Sequence, residues 1–457
     1  MASLTYEAAL AALRERGRFG IRLGLGRTRA LLRELGDPQR AFRGALVGGT
    51  NGKGSVLALV ASALRAAGLR AGETPKPHLV TYRERLQIAG RLVDPMTFAG
   101  LVESALPAAA RVARRYGDPT EFELLTAVAF RWFADQAVDL AVVEVGLGGR
   151  LDATHAWDGG VAAITNVDLD HMDRLGSTVT AIAREKAAII ERGDLAVTGA
   201  DGAGLAVIRR RAGRVGVALR VVPLARLLGW DRDGIVVDLP GLGETRVGLR
   251  GRHQAANVAV ADAVLDALAE SGIAIVGPAA RRRGYADARW AGRLELIEAR
   301  PDGPGSTREV LLDGAHNPAG AAVLAQALED LRPFLAGGSE RQPPPITLII
   351  GAMADKDVAG IVRALAGAPV LAGAAVICTE VGEARALPAV ELAVVWASTA
   401  GPGAQPRVIR SPAAALAAAL AVAPGPIVVA GSLYLVGAVR ALLVDDPALR
   451  DVAGSAG

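Results

Sequence analysis

The sequence predicts an α/β protein in two parts, a larger domain built on a parallel-type sheet and a smaller α/β domain at the carboxy-terminal end. Apolar runs of strand length, Ala45–Gly48, Asp139–Val145, Val161–Val167 and Leu195–Gly199, alternate with longer helical patterns. That alternation is the mark of parallel strands joined by crossover helices. A second series begins near Leu294, with strands expected at Glu309–Leu312, Thr347–Gly351, Ala375–Thr379 and Ile427–Ala430. A boundary near Arg289–Arg293 divides the 457 residues into 1–292 and 293–457, each long enough to bury its own core.

Taken in order, Met1–Gly20 form a helical pattern in which Glu7, Arg14, Glu15 and Arg16 break up any apolar signal core. The strand Ala45–Gly48 runs into a glycine-rich loop and then a helix over Val56–Ala67. Between Leu219 and Leu249 the character changes, and Gly229–Leu239 and Gly243–Leu249 read as antiparallel hairpins. They form a small β-rich insert ahead of a helix that starts near Gln254. The proline-rich stretch Gly337–Pro345 reads as a surface loop inside the second series.

Composition narrows the function. Charges interrupt every apolar run before it reaches the ~18 residues of a membrane span, so the chain is expected to be cytoplasmic. The net charge of +4 is slight, and the densest basic cluster, Arg281, Arg282 and Arg283, reads as a solvated helix face. Aromatic residues at 4% are too sparse for base-stacking platforms, which argues against nucleic acid. The single cysteine, Cys378, excludes a disulfide framework and a Cys/His zinc site. It reads as a buried strand residue.

The strongest local signal is Gly48-Gly49-Thr50-Asn51-Gly52-Lys53-Gly54-Ser55. Glycines let backbone N–H groups close around phosphate oxygens, a helix N-terminus adds its positive end, and Lys53 can reach the terminal phosphates. The generic phosphate-loop pattern fails in detail, because Val47 replaces its first glycine and Gly54 separates Lys53 from Ser55. Bound phosphates need a divalent cation, and Glu144, at the end of an apolar strand, is placed to face Mg²⁺. The glycines of Val145–Thr154 permit close approach of backbone to a ligand. His171, in the acid-rich run Asp168–Asp173, suits a second contact to metal or phosphate.

These segments, with Pro77-His78-Leu79, Tyr82–Arg85, Ile182–Lys186, Gly251–Gln254, Gly292–Glu295, Asp313–Pro318 and Gly431–Tyr434, resemble in order and spacing one known family. It is the folylpolyglutamate synthase/dihydrofolate synthase branch of the Mur ligase superfamily. The resemblance implies an ATP-binding amino-terminal domain, a Rossmann-like carboxy-terminal domain and chemistry in the cleft between them. It implies that Thr50, Asn51 and Gly52 to Ser55 hold the phosphates. Ser55, Glu144 and His171 would hold Mg²⁺, at up to two sites. Lys186, which reads in isolation as an exposed helix lysine, would be carbamylated, giving a carboxylate-like group beside the metal. Asn257, Arg293 and Asp313 would grip ATP, with His316 close by and catalytic together with Lys53 and Lys186.

On the pterin side the resemblance implies contacts from Leu23, Gly24, Arg27 and His78, from Phe122 and Glu123, and from Asp152, Ala153 and Thr154. Three positions depart from the family pattern. Lys76 stands where a metal-ligating Ser is usual, His155 where Asn follows Ala-Thr, and Ala291 where Pro precedes Gly-Arg. The expected activity is ATP-dependent ligation of L-glutamate to dihydropteroate or a reduced folate through an acyl phosphate, by a monomer with small-molecule partners only. A peptidoglycan-precursor Mur ligase is the nearest rival, and a nucleotide-gated regulator is the rival from another class.

Overall fold

Short runs of Val, Ile, Leu and Ala bounded by glycine or turn residues form the strands of the computed structural model. It describes residues 4–17, 20, 22–299, 307–336, 338, 343–383, 385–401, 404–422 and 425–451. The first sheet comprises β1 (Gly44–Gly48), β2 (Ala71–Thr74), β3 (Gln87–Ile88), β4 (Arg91–Leu92), β5 (Leu140–Glu144), β6 (Gly160–Ile164), β7 (Leu195–Thr198) and β8 (Leu219–Val221). Their spatial order is β4-β3-β2-β5-β1-β6-β7-β8, parallel except for the hairpin at β2-β3-β4.

Successive strand residues serve opposite faces, and both faces are covered, so the central strands are apolar throughout. Leu46, Val143 and Ile164 pack beneath the helices Tyr6–Gly17, Pro95–Tyr116 and Glu121–Asp135. Their neighbours Val47, Val142 and Ala163 pack against the helices Lys53–Ala66 and Gln254–Glu270. Each buried Val or Leu contributes about 1.5–3 kcal/mol.

A second sheet holds β12 (Glu295–Ala299), β13 (Arg308–Leu312), β14 (Thr347–Ile350), β15 (Ala375–Cys378), β16 (Arg407–Val408) and β17 (Ile427–Ala430). Its order is β12-β13-β17-β14-β15-β16, with only the β12–β13 pair antiparallel. Cys378 is a fully buried strand residue there. Between the two sheets in sequence lies the expected β-rich insert, an antiparallel sheet of β9 (Arg226–Asp231), β10 (Gly234–Leu239) and β11 (Gly243–Val247). Its inner face, including Ile235, Val237 and Val247, extends the first core. Its outer rim reaches the carboxy-terminal half, where Trp230 Nε1 donates to the Asp330 carbonyl at 3.2 Å and Arg252 pairs with the Asp330 carboxylate.

Several expectations need correcting. The first helix after β1 starts at Lys53, not Val56, because Gly52 caps it at φ 81° and Gly54 and Ser55 lie in its first turn. The strand after Gly160 ends at Ile164 rather than Val167, since Thr165 and Asn166 turn to bond the glycine loop. Arg281 is not on a fully solvated face: it is half-buried, and its guanidinium pairs with Asp262, at 3.0 Å, and Asp266, at 2.7 Å. Arg282 and Arg283 are exposed as expected. The expected loop over Gly337–Pro345 lies partly outside the described residues. Among the described residues no helix is long and apolar enough to cross a membrane.

Candidate active site

Parallel strands bring their carboxy-terminal ends to one edge of a sheet, where the following loops can converge on a ligand. Loops leaving β1, β5 and β6 of the first sheet and β13, β14 and β17 of the second line one cavity of about 800 Å³. That volume suits a nucleotide-sized ligand or a pair of smaller ones.

The glycine loop forms one wall. Gly49 and Gly52 have φ of 141° and 81°, and a Cβ at either would collide, with Thr165 Oγ1 and Asn257 Oδ1 respectively. Thr50 N–H donates to the Asn166 carbonyl at 3.1 Å, Asn51 N–H to Asn166 Oδ1 at 2.9 Å, and Thr165 Oγ1 to the Asn51 carbonyl at 2.6 Å. The loop is therefore held rigid before any anion arrives, and the helix from Lys53 offers it first-turn N–H groups. Lys53 Nζ folds over its own loop, donating to the Gly49 and Thr50 carbonyls at 3.2 and 3.0 Å. Burial lowers its pKa, and Glu144 and Asp170 pull the other way.

Lys186 is buried, contrary to its expected exposure, and its Nζ donates to the Gly49 carbonyl at 2.7 Å. Burial first, and the Lys53 ammonium second, bring its pKa down to about 7. Glu144, at the end of β5, is buried enough to raise its carboxyl, against the pull of Lys53. Its Oε2 accepts the Lys76 N–H at 2.9 Å, and the Lys76 ammonium donates to the Glu144 carbonyl at 2.5 Å. His171 takes a left-handed backbone, φ 49°, and faces the cavity beside Asp170.

Ser55, Glu144 and His171 line this cavity together, offering a hydroxyl, a carboxylate and an imidazole. Among the described residues no three His, Cys, Asp or Glu side chains gather as an all-protein cage. The set fits Mg²⁺ of the nucleotide-bound type, which takes one or two carboxylates and completes its shell with phosphate and water. Buried Glu144, with its carboxyl raised, is suited to a cation.

The opposite wall comes from the second sheet. Asp313 receives the Leu294 and Ala315 N–H groups, both at 2.9 Å, so its carboxylate shapes the wall next to Arg293. His316 Nδ1 meets the Gly314 carbonyl at 2.8 Å, and burial lowers its pKa to about 4. Two residues with no assigned sequence role bridge the walls. Asn317 Nδ2 reaches Asn51 Oδ1 at 3.5 Å and Asp170 Oδ2 at 3.3 Å, while Lys356 Nζ meets Asp170 Oδ1 at 3.1 Å. Against the burial that raises it, the charges of His171 and Lys356 hold Asp170 down to about 2. The available signal for Lys356 is Asp355-Lys356-Asp357, a charged run just beyond the end of an apolar strand.

Leu23, Gly24, Phe122, Glu123, Asp152 and Ala153 line the cavity. Arg27, His78 and Thr154 are not among its lining residues; each instead holds one that is. Arg27 Nε pairs with Glu123 at 3.0 Å, His78 Nδ1 accepts from Arg85 Nε at 2.9 Å, and Thr154 Oγ1 donates to Asp152 Oδ1 at 2.5 Å. His155 also stays off the cavity, turned toward Glu191 at 3.2 Å. Because Thr154 is fully buried, Thr154→Val is expected to lower stability by about 1 kcal/mol through the lost hydroxyl hydrogen bond, while Asp152 Oδ1 keeps the backbone N–H of residue 154. Thermal unfolding measures this, and an unchanged midpoint would refute the positioning role.

Comparison with known proteins agrees with this geometry. Residues 47–265 match the model of the Mur ligase middle domain, and residues 302–443 that of the dihydrofolate synthetase C-terminal domain. A folylpolyglutamate synthase of Lacticaseibacillus casei is 35% identical over 91% of this chain and 93% of its own. A dihydrofolate synthase/folylpolyglutamate synthase of Mycobacterium tuberculosis is 36% identical over 83% of this chain and 78% of its own. The crystal structure of Mycobacterium tuberculosis folylpolyglutamate synthase complexed with ADP and AMPPCP aligns with a TM-score of 0.82 at 33% identity. That alignment covers 97% of this chain and 100% of the other.

Proposed function

We propose that this chain, which belongs to the dihydrofolate synthase/folylpolyglutamate synthase family, uses ATP to join L-glutamate to a pterin-linked carboxylate. The observation that supports this most directly is the meeting of the glycine loop, Glu144, Lys186, Arg293 and His316 in one cavity that Phe122 and Leu23 also line. We assign residues 1–292 to ATP and pterin binding and 293–457 to a closing ligase domain. The protein would act in the cytoplasm as a monomer, which light scattering checks.

In this reading the loop N–H groups and Lys53 hold the β- and γ-phosphates, and Asn257, Arg293 and Asp313 bracket the rest of the nucleotide. Ser55, Glu144 and His171 would hold Mg²⁺, which when bound neutralises charge on the transferring phosphoryl group. A substrate carboxylate oxygen attacks the γ-phosphorus, ADP departs, and an acyl phosphate remains. The glutamate amine then attacks the acyl carbon, loses a proton, and phosphate leaves with the acyl C–O electrons. With its pKa near 4, His316 is neutral at pH 7. A proton on Nδ1, donated to the Gly314 carbonyl, leaves Nε2 as an acceptor for the amine proton. The bridging contacts of Asn317 and Lys356 keep the two walls together and limit hydrolysis of the acyl phosphate.

Whether one glutamate must already be present is a question of the acid offered. Both dihydropteroate and a tetrahydrofolate are expected to gain glutamate, because in either case the reacting ends are a carboxylate and a glutamate amine. Product masses after separate incubations with ATP and glutamate decide it. Addition to the folate alone would leave a folate-only ligase, and no product from either would overturn the substrate class.

A further inference from the structure

The Lys76 ammonium lies over the Phe122 ring, 5.2 Å from the centroid, and donates to the backbone carbonyl of Glu144 at 2.5 Å. An ammonium has three donors, and among the described residues this one hydrogen-bonds to a single acceptor. Among the described residues neither acidic neighbour, Glu144 or Asp152, accepts from this ammonium with a carboxylate oxygen. Glu144 Oε2 takes the Lys76 backbone N–H at 2.9 Å, and Asp152 receives Thr154 Oγ1 and N–H on Oδ1 and the Leu147 N–H on Oδ2, at 2.5, 3.0 and 2.8 Å.

Lys76 is half-buried and lines the cavity, where a ligand can supply the acceptors that its unused donors lack. An aromatic acid with its ring system against Phe122 and its carboxylate toward Lys53 must carry that carboxylate past this position. We propose that Lys76 binds the substrate carboxylate that is to be phosphorylated, as a fixed cation on the side of that group away from the glycine loop. The proposal rests on the ligase reading above and adds to it the residue that recognises the acid. Where the family pattern has a serine, this chain places its own positive charge.

Chemically, two ammonium donors on the carboxylate hold one oxygen while the other points at the γ-phosphorus, which favours in-line attack. Full charge neutralisation would blunt the nucleophile, and the contact is therefore expected to show in binding more than in turnover.

The test is a coupling measurement on the full chain saturated with Mg²⁺ and a non-hydrolysable ATP analogue. Calorimetry would compare dihydropteroate with its carboxamide, in wild type and in Lys76→Met, which keeps length and loses charge. Wild type should prefer the acid by about tenfold or more, and the variant should bind both alike. Equal loss of both ligands, or an undiminished preference for the acid in the variant, would overturn the role of Lys76. Unchanged affinity for the ATP analogue confirms that the variant is folded, and Lys76→Arg, which restores the charge, should recover part of the preference and serves as the second variant. Wild type that binds neither pterin would instead sink the ligase reading itself, and this proposal with it.

Discussion

Replacing Lys53 with alanine is expected to lower ligase turnover by about 10²-fold or more while the protein stays folded. The fold should survive because among the described residues the Lys53 ammonium makes two hydrogen bonds, both to carbonyls of its own loop. Its burial, moreover, works against its charge. Removing a desolvated ammonium relieves that cost, so stability should be unchanged or slightly higher. Catalysis should not survive, because charge that builds on the transferring phosphoryl group loses its nearest fixed cation. Steady-state kinetics with a parallel thermal melt separates the two effects. Near-normal ligation in a folded variant would remove Lys53 from phosphoryl transfer.

The glycine loop could be read from sequence because its chemistry is local. Eight consecutive residues hold the turn, the helix start and the lysine, and no distant contact is needed to recognise them. Strand positions were legible for a similar reason, since a two-sided sheet demands runs without polar interruption. Lys186 was not legible. The run Ala183-Arg184-Glu185-Lys186 has the look of an exposed helix face, and only packing of the helix Val179–Ala187 against Gly149 turns the lysine inward. A Cβ on Gly149 would lie 2.8 Å from the Glu185 carbonyl, so the close approach depends on a glycine 36 positions away.

Arg27 misled for the opposite reason. The resemblance puts it in contact with the pterin, but it pairs with Glu123, 96 residues along the chain. Lys356 meets Asp170 across 186 residues and between two sheets. Such pairings are tertiary facts with no signature in local periodicity. Positions that bear chemistry on one segment were visible, and those that depend on which segment faces which were not.

Substituting Lys186 with alanine is expected to take ligation down to background, with partial recovery when formate or acetate is added. An ordinary lysine has about one neutral molecule in 10³ at pH 7, whereas one with a pKa near 7 is about half neutral. Only the neutral amine attacks CO₂, forming an N–C bond and releasing a proton to leave a carbamate. Burial beside the Gly49 carbonyl would thus prepare Lys186 for that modification, and the carbamate would be an anion close to Lys53, able to hold a cation. The sign of the pH effect follows. A lowered amine pKa means neutral above about 7 and protonated below it, so activity should fall as pH drops from 8 to 6 and added bicarbonate should matter most at the acid end. A small carboxylate occupying the space vacated in Lys186→Ala would replace the charge without the tether, which accounts for partial rather than full rescue. Electron density at Lys186 Nζ in crystals grown with bicarbonate is the direct check. A bare amine there, with activity indifferent to bicarbonate at pH 6, would show that the buried lysine acts only as a clamp on the glycine loop.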